Sequence, residues 1–237
     1  MSFRQIVSEI NAVVWGPILL ILLVGTGIFL MFRLRFLPLR NLGHSLRQVF
    51  KRHDKKGKGD ITPFQSLMTA LASTIGTGNI VGVTTAMMLG GPGAVFWMWV
   101  SAIFGLATKY AECMLSVKYR TTNEKGEIAG GPMYVLKNAF PFRRLGKILA
   151  VLFACFAVLA SFGIGNMTQA NSIVEALSAS FSLPPLAVGA VTAGLALVII
   201  LGGIQGISRV SSVLVPAMAL LYLGAGLAVI LGNWWNL

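Results

Sequence analysis

Residues 71 to 82 read Leu-Ala-Ser-Thr-Ile-Gly-Thr-Gly-Asn-Ile-Val-Gly, and between positions 72 and 79 only Ile75 is large and apolar. Each glycine costs a helix interior roughly 0.5–1 kcal/mol relative to alanine, so the spacing predicts a broken helix at about 72–79. A break presents two kinds of polar group at once. The half-helix running on from Asn79 offers free N–H groups and a positive dipole end, suited to a carboxylate. The half-helix ending near Ser73 offers free carbonyls, suited to Na⁺ or another small hard cation. Thr77 and Asn79 add neutral oxygen ligands without burying a charge. Close helix packing accounts for the same small residues, since Gly78 and Gly82 form a G-x-x-x-G pair. Pattern alone leaves both readings open. The spacing G-x-G-x-x-x-G is one residue too long for a dinucleotide fingerprint, and no strand precedes it, which excludes that cofactor.

The surrounding elements decide where such a break would sit. Of 237 residues, 56% are hydrophobic and 11% are charged. Soluble domains carry about 25% charged residues, so this chain lacks the polar surface to cover a globule in water, and it is too apolar to be disordered. A bilayer core about 30 Å thick needs roughly 20 apolar residues in helix. Uncharged runs predict an all-α integral membrane protein with six spans, at about 12–32, 63–89, 94–116, 148–174, 186–207 and 211–232. The broken stretch falls near the middle of the second. Backbone freed from helix at that depth is tolerated only where it lines protein or a water-filled cavity.

Charge sets the orientation. The chain holds 19 Lys and Arg against 7 Asp and Glu, a net charge of +12. Nine bases fall between Arg33 and Lys58, and seven between Lys118 and Lys147. With six alternating spans, seventeen bases lie in linkers 33–62, 117–147 and 206–210 on one face, and only Arg4 lies on the other. By the positive-inside rule both termini face outward and the basic loops are cytoplasmic. The first span is too long for a signal peptide, and its basic residues follow it. The run Lys51 to Lys58 lacks aromatic residues, so nucleic acid is a poor partner and anionic lipid an adequate one.

Other polar residues are explained by position. Asn166-Met167-Thr168-Gln169-Ala170-Asn171-Ser172 makes a polar patch in the fourth span. A buried amide in lipid needs partners, so this patch faces protein or a cavity. Lys109 and Glu112 are spaced for an i,i+3 ion pair, and Glu175 lies at the outer end of its span. Neither acid is a mid-membrane proton carrier, which favours Na⁺ as driver. Trp15, Trp97, Trp99, Trp234 and Trp235 sit near span ends, as interfacial anchors do. Pro132 to Phe140 reads as a Pro-initiated amphipathic helix on the cytoplasmic face. Cys113 and Cys155 match no metal or disulfide spacing and read as core filler. No span carries a His/Asp/Glu constellation able to do chemistry, so the chain is not read as an enzyme.

The run from Ser73 to Val83 resembles the signature of the alanine/glycine:cation symporter family, the sodium:alanine symporters. So do Leu89 to Trp99, Lys109-Tyr110-Ala111-Glu112-Cys113, Lys118-Tyr119-Arg120, Gly130-Gly131-Pro132-Met133-Tyr134 and Ser161 to Ser172. The likeness covers nearly the whole chain. It implies a LeuT-type fold of two inverted five-helix repeats preceded by one extra helix. Here 12–32 would be the extra helix, 33–62 the basic cytoplasmic loop, and 63–237 the first repeat. Family members are about twice as long, consistent with a second repeat that this chain lacks.

The resemblance also implies roles. The backbone around Thr77, Gly78 and Asn79 would hold the carboxylate of a small neutral amino acid, alanine or glycine. Gln169 would face it and bind its polar end. The carbonyls of Ala72 and Ile75 would give half of one Na⁺ site, and the Thr74 carbonyl with the Asn79 side chain half of a second. No cofactor is implied beyond Na⁺ as the coupling ion. The expectation is Na⁺-coupled symport across the cytoplasmic membrane by an N-terminal half whose second repeat comes in cis or in trans. The competing expectation is a truncated, non-transporting membrane protein, or a half-subunit that needs a partner chain.

Overall fold

The computed structural model describes residues 2–51, 60–122, 126 and 128–233. The expectations for Arg52, Lys55, Lys56, Lys58, Lys125, Trp234 and Trp235 lie outside them. Two compact units emerge, Met1–Ser45 with Val83–Val158, and Leu46–Gly82 with Leu159–Leu237.

In the first unit, α1 (Phe3–Val14) begins at a cap where the Ser2 N–H donates to Gln5 Oε1 at 2.8 Å. It hands over through Trp15-Gly16 to α2 (Pro17–Arg33), which carries Pro at its first position, where no N–H is needed. Helix therefore starts well before residue 12, the expected edge of the first span. Apolar residues at 6, 7, 10, 13 and 14 supply the helical spacing that extends it. The short α3 (Leu37–Arg40) and α4 (Leu42–Phe50) follow in the basic loop. Helix α2 packs along α7 (Gly93–Lys118), so closely that a Cβ on Gly27 would come 2.9 Å from the Phe104 carbonyl oxygen. Strands β1 (Thr121–Thr122) and β2 (Ile128–Ala129) pair antiparallel. The expected Pro-initiated helix is α8 (Pro132–Ala139). It leads to α9 (Arg143–Ala160), where a Cβ on Gly146 would lie 2.5 Å from the Leu136 carbonyl oxygen.

In the second unit, α5 (Pro63–Thr74) is opened by Thr62, whose Oγ1 accepts from the Gln65 N–H at 3.2 Å. It ends at Ile75, where the backbone turns extended. A π-helical turn, Gly78–Gly82, restarts the helix and runs into α6 (Val83–Gly90). A second π segment, Ser161–Met167, joins α9 to α10 (Thr168–Phe181). Helices α11 (Pro185–Leu201) and α12 (Gly203–Gly232) complete the unit, with Pro216 inside α12. Helices α11 and α12 divide at Gly202-Gly203 rather than at the expected linker 206–210; Gly203 takes φ +59°, a conformation open to glycine. Arg209 therefore lies within α12.

Among the described residues, four helices are long and apolar enough to cross a membrane: Arg4–Arg33, Gly93–Lys118, Arg143–Phe181 and Gly203–Gly232. The pair Pro63–Thr74 and Gly78–Gly90, bent by 59°, makes a fifth if it is one span. Pro185–Leu201 is apolar over 17 residues. Ile18, Ile21, Phe29 and Val198 are exposed, which suits a lipid environment. Both cysteines are also exposed, so they are not core filler.

Candidate functional site

The site is built on the break in the second span. Helix α5 spends its last turns satisfying its own hydroxyls: Ser73 Oγ and Thr74 Oγ1 each donate to the Ala70 carbonyl at 2.8 Å. Its final intrahelical bond runs from the Ile75 N–H to the Leu71 carbonyl at 2.8 Å. The chain then opens through Ile75, Gly76 and Thr77. Two contacts bridge the opening. The Asn79 N–H donates to the Gly76 carbonyl at 3.1 Å, and Asn79 Nδ2 donates to the Thr74 carbonyl at 2.9 Å. The second of these ties the end of α5 to the restarted helix and brings two sequence-predicted residues, Thr74 and Asn79, into direct contact.

Gln169 arrives from the second position of α10, just beyond the Ser161–Met167 π segment. Its Oε1 accepts from the Thr77 N–H at 3.2 Å. The carboxamide lies against the backbone of Gly76, where a Cβ would meet Nε2 at 2.9 Å, Oε1 at 3.1 Å and Cδ at 3.3 Å. Both the α5–α6 and the α9–α10 runs thus leave regular α-helix next to this meeting point, and π turns inside α-helices are frequent at functional sites. Thr77, Gly76 and Gln169 are half-buried, and Gly78 and Asn79 are exposed.

The G-x-x-x-G packing reading predicts crowding at Gly78 and Gly82. Among the described residues, a Cβ at either would meet nothing within 4 Å. The close approach is instead at Gly76, which pattern did not single out. Its only signal was a glycine between Ile75 and Thr77 in a span.

Beside the break lies an apolar pocket of about 730 Å³, walled by Ala72 and Ile75 of α5 and by Ser211, Val215, Met218 and Tyr222 of α12. The α12 residues were not read from sequence, because an apolar helix carries no mark of the face that turns inward.

Two other polar pairs are local. Lys109 Nζ meets Glu112 Oε2 at 3.1 Å with both side chains well exposed, the ion pair its spacing predicts. Asn171 Nδ2 donates to Glu175 Oε1 at 2.8 Å, an i,i+4 contact that engages that acid. Among the described residues no group of three or more His, Cys, Asp or Glu is placed to hold a metal ion.

A model of the sodium:alanine symporter family matches residues 1–237. The chain belongs to that family. It is 53% identical over 234 residues to the sodium/alanine symporter AgcS of Methanococcus maripaludis, covering 98% of this chain and 52% of the relative. An uncharacterized transporter of Haemophilus influenzae is 50% identical, covering 98% of this chain and 50% of its own. The probable sodium/glutamine symporter GlnT of Bacillus subtilis is 35% identical, with 97% and 47% covered. This family member spans about half the length of the curated relatives it matches. It is a multi-pass membrane protein of a transporter family and not of an enzyme family.

Proposed function

We propose that this chain forms the first half of a Na⁺-coupled symporter that carries a small neutral amino acid, alanine or glycine, across the cytoplasmic membrane. The observation that carries the reading is the helix broken at 75–77, with the Thr77 N–H aimed at Gln169. In this reading six spans cross the bilayer. The N-terminal helix is extra, and residues 63–237 form the first repeat of a LeuT-type fold. The N-terminus faces outward, as the segregation of basic residues indicates.

The amino acid's carboxylate takes the N–H groups of Thr77, Gly78 and Asn79, displacing Gln169 Oε1 from the first and the Gly76 carbonyl from the last, at the start of the restarted helix, where the dipole favours negative charge. Gln169 adds a neutral donor and acceptor for the polar end. Na⁺, a cargo ion here, takes the Ala72 and Ile75 carbonyls on one side of the break. A second Na⁺ would use the Thr74 carbonyl and Asn79, whose amide turned about its last torsion sets Oδ1 beside that carbonyl. Na⁺ and the substrate carboxylate, of opposite charge, each reduce the electrostatic cost of desolvating the other, so each raises the other's affinity by the same factor. That reciprocal factor is the coupling.

The test is alanine uptake driven by a Na⁺ gradient in proteoliposomes holding the complete two-repeat transporter. Thr77→Pro, which deletes an N–H, is expected to abolish or cripple it, and Asn79→Ala to slow it at limiting Na⁺. Uptake unchanged in both variants would sink the site assignment.

A further inference from the structure

Gly76 belongs to neither ligand set, yet it meets the tightest steric limit at the break. The Gln169 carboxamide covers its Cα, so any Cβ would sit 2.9 Å from Nε2 and 3.1 Å from Oε1. Contacts below 3.0 Å force something to move. The Gly76 backbone is also held, because its carbonyl accepts from the Asn79 N–H at 3.1 Å. The movable partner is the Gln169 side chain, and shifting it away from Gly76 strains the 3.2 Å bond from the Thr77 N–H.

We propose that Gly76 is a positioning residue: the space left by its missing side chain seats the Gln169 carboxamide on the Thr77 N–H and so holds the carboxamide beside the break, where the substrate's polar end meets it. The proposal rests on the reading of Thr77 and Gln169 as substrate contacts for its transport consequence, and on geometry alone for the seating. Gly76 touches no substrate atom and acts only through Gln169. Crowding distinguishes it from Gly78 and Gly82, where a Cβ would meet nothing within 4 Å.

The experiment is a cycle of Gly76→Ala, Gln169→Ala and the double variant in the full-length transporter, with Gly82→Ala as a steric control. The first readout is amide hydrogen exchange at Thr77 in detergent. The hydrogen bond's loss is expected to speed exchange about tenfold in each single variant and no further in the double, since residues acting through one contact are non-additive. Wild-type exchange at Thr77 in Gly76→Ala overturns the seating. The second readout is alanine uptake. KM is expected to rise about tenfold in Gly76→Ala, with maximal rate within about twofold, and Gly76→Ala is expected to add nothing in the Gln169→Ala background. Equal costs in both backgrounds would mean a merely structural glycine and overturn the proposal. Accelerated exchange in all three variants with uptake unchanged leaves the seating established and refutes the substrate reading of Thr77 and Gln169 instead.

Discussion

The Thr77 N–H donates to Gln169 Oε1 at 3.2 Å, a bond between residues 92 positions apart. It joins the break in one span to the first turn beyond the π segment of another. An amide oxygen is a neutral acceptor, so it occupies the N–H without bringing a charge that would repel a carboxylate.

Gln169→Glu changes that charge while nearly keeping shape. A carboxylate binds the Thr77 N–H more strongly than an amide does and repels the substrate's own carboxylate. Alanine KM is expected to rise by more than about tenfold, a cost above 1.4 kcal/mol. Thermal stability in detergent is expected to stay near wild type. Uptake kinetics against alanine concentration check it, and an unchanged KM would remove Gln169 from the substrate's surroundings.

Asn79 spans the break by its bond to the Thr74 carbonyl. Asn79→Ala removes both that bridge and the proposed Na⁺ ligand. A lost hydrogen bond costs about 0.5–1.5 kcal/mol, so the Na⁺ concentration for half-maximal uptake is expected to rise about three- to tenfold. The Na⁺ dependence of uptake at fixed alanine is the measurement. A curve superimposable on wild type would exclude Asn79 from ion binding.

Gly25 and Gly27 provide a steric comparison within one helix. Gly27→Ala drives a methyl against the Phe104 backbone at 2.9 Å, whereas a Cβ at Gly25 meets nothing within 4 Å. Overpacking costs typically about 1–3 kcal/mol, while Gly→Ala in an open helical position gains about 0.5–1 kcal/mol. Thermal unfolding in detergent is expected to fall for Gly27→Ala and to hold or rise for Gly25→Ala. The reverse order would refute the α2–α7 contact.

Glu112 is paired to Lys109 and exposed. Exposed pairs contribute about 0–1 kcal/mol, so Glu112→Gln is expected to leave stability and Na⁺-driven uptake nearly unchanged. Loss of transport with a shift to proton independence would show that Glu112 carries a coupling proton and that Na⁺ is not the sole driver.

Orientation is testable through Cys113 and Cys155, both exposed. With both replaced by Ser, single cysteines in place of Ser8 and Ser45 should differ in access. A membrane-impermeant maleimide added to intact cells is expected to label Ser8→Cys and spare Ser45→Cys. Labelling of the second alone would invert the topology.

What the sequence by itself determined is whatever depends on one-dimensional statistics. Segregated basic residues and long apolar runs mark membrane spans, because charge is costly in hydrocarbon wherever it falls. Glycine density between Gly76 and Gly82 predicts a break, because glycine weakens any helix. Thr62-Pro63 and Gly131-Pro132 mark helix starts through local chemistry. Even so, local rules placed the last turn at 206–210, where the structure turns at Gly203, since several glycines there allow it and only packing selects one. Tertiary structure decided what lies opposite what. Nothing in the order of residues says that Gln169 covers Gly76, or that Val215 and Tyr222 of α12 wall the pocket beside Ile75. In an apolar membrane helix nearly every face is hydrophobic, so periodicity carries little information about which face meets protein. That choice is made by steric fit between helices far apart in sequence, and it is why Gly76 became visible only in three dimensions.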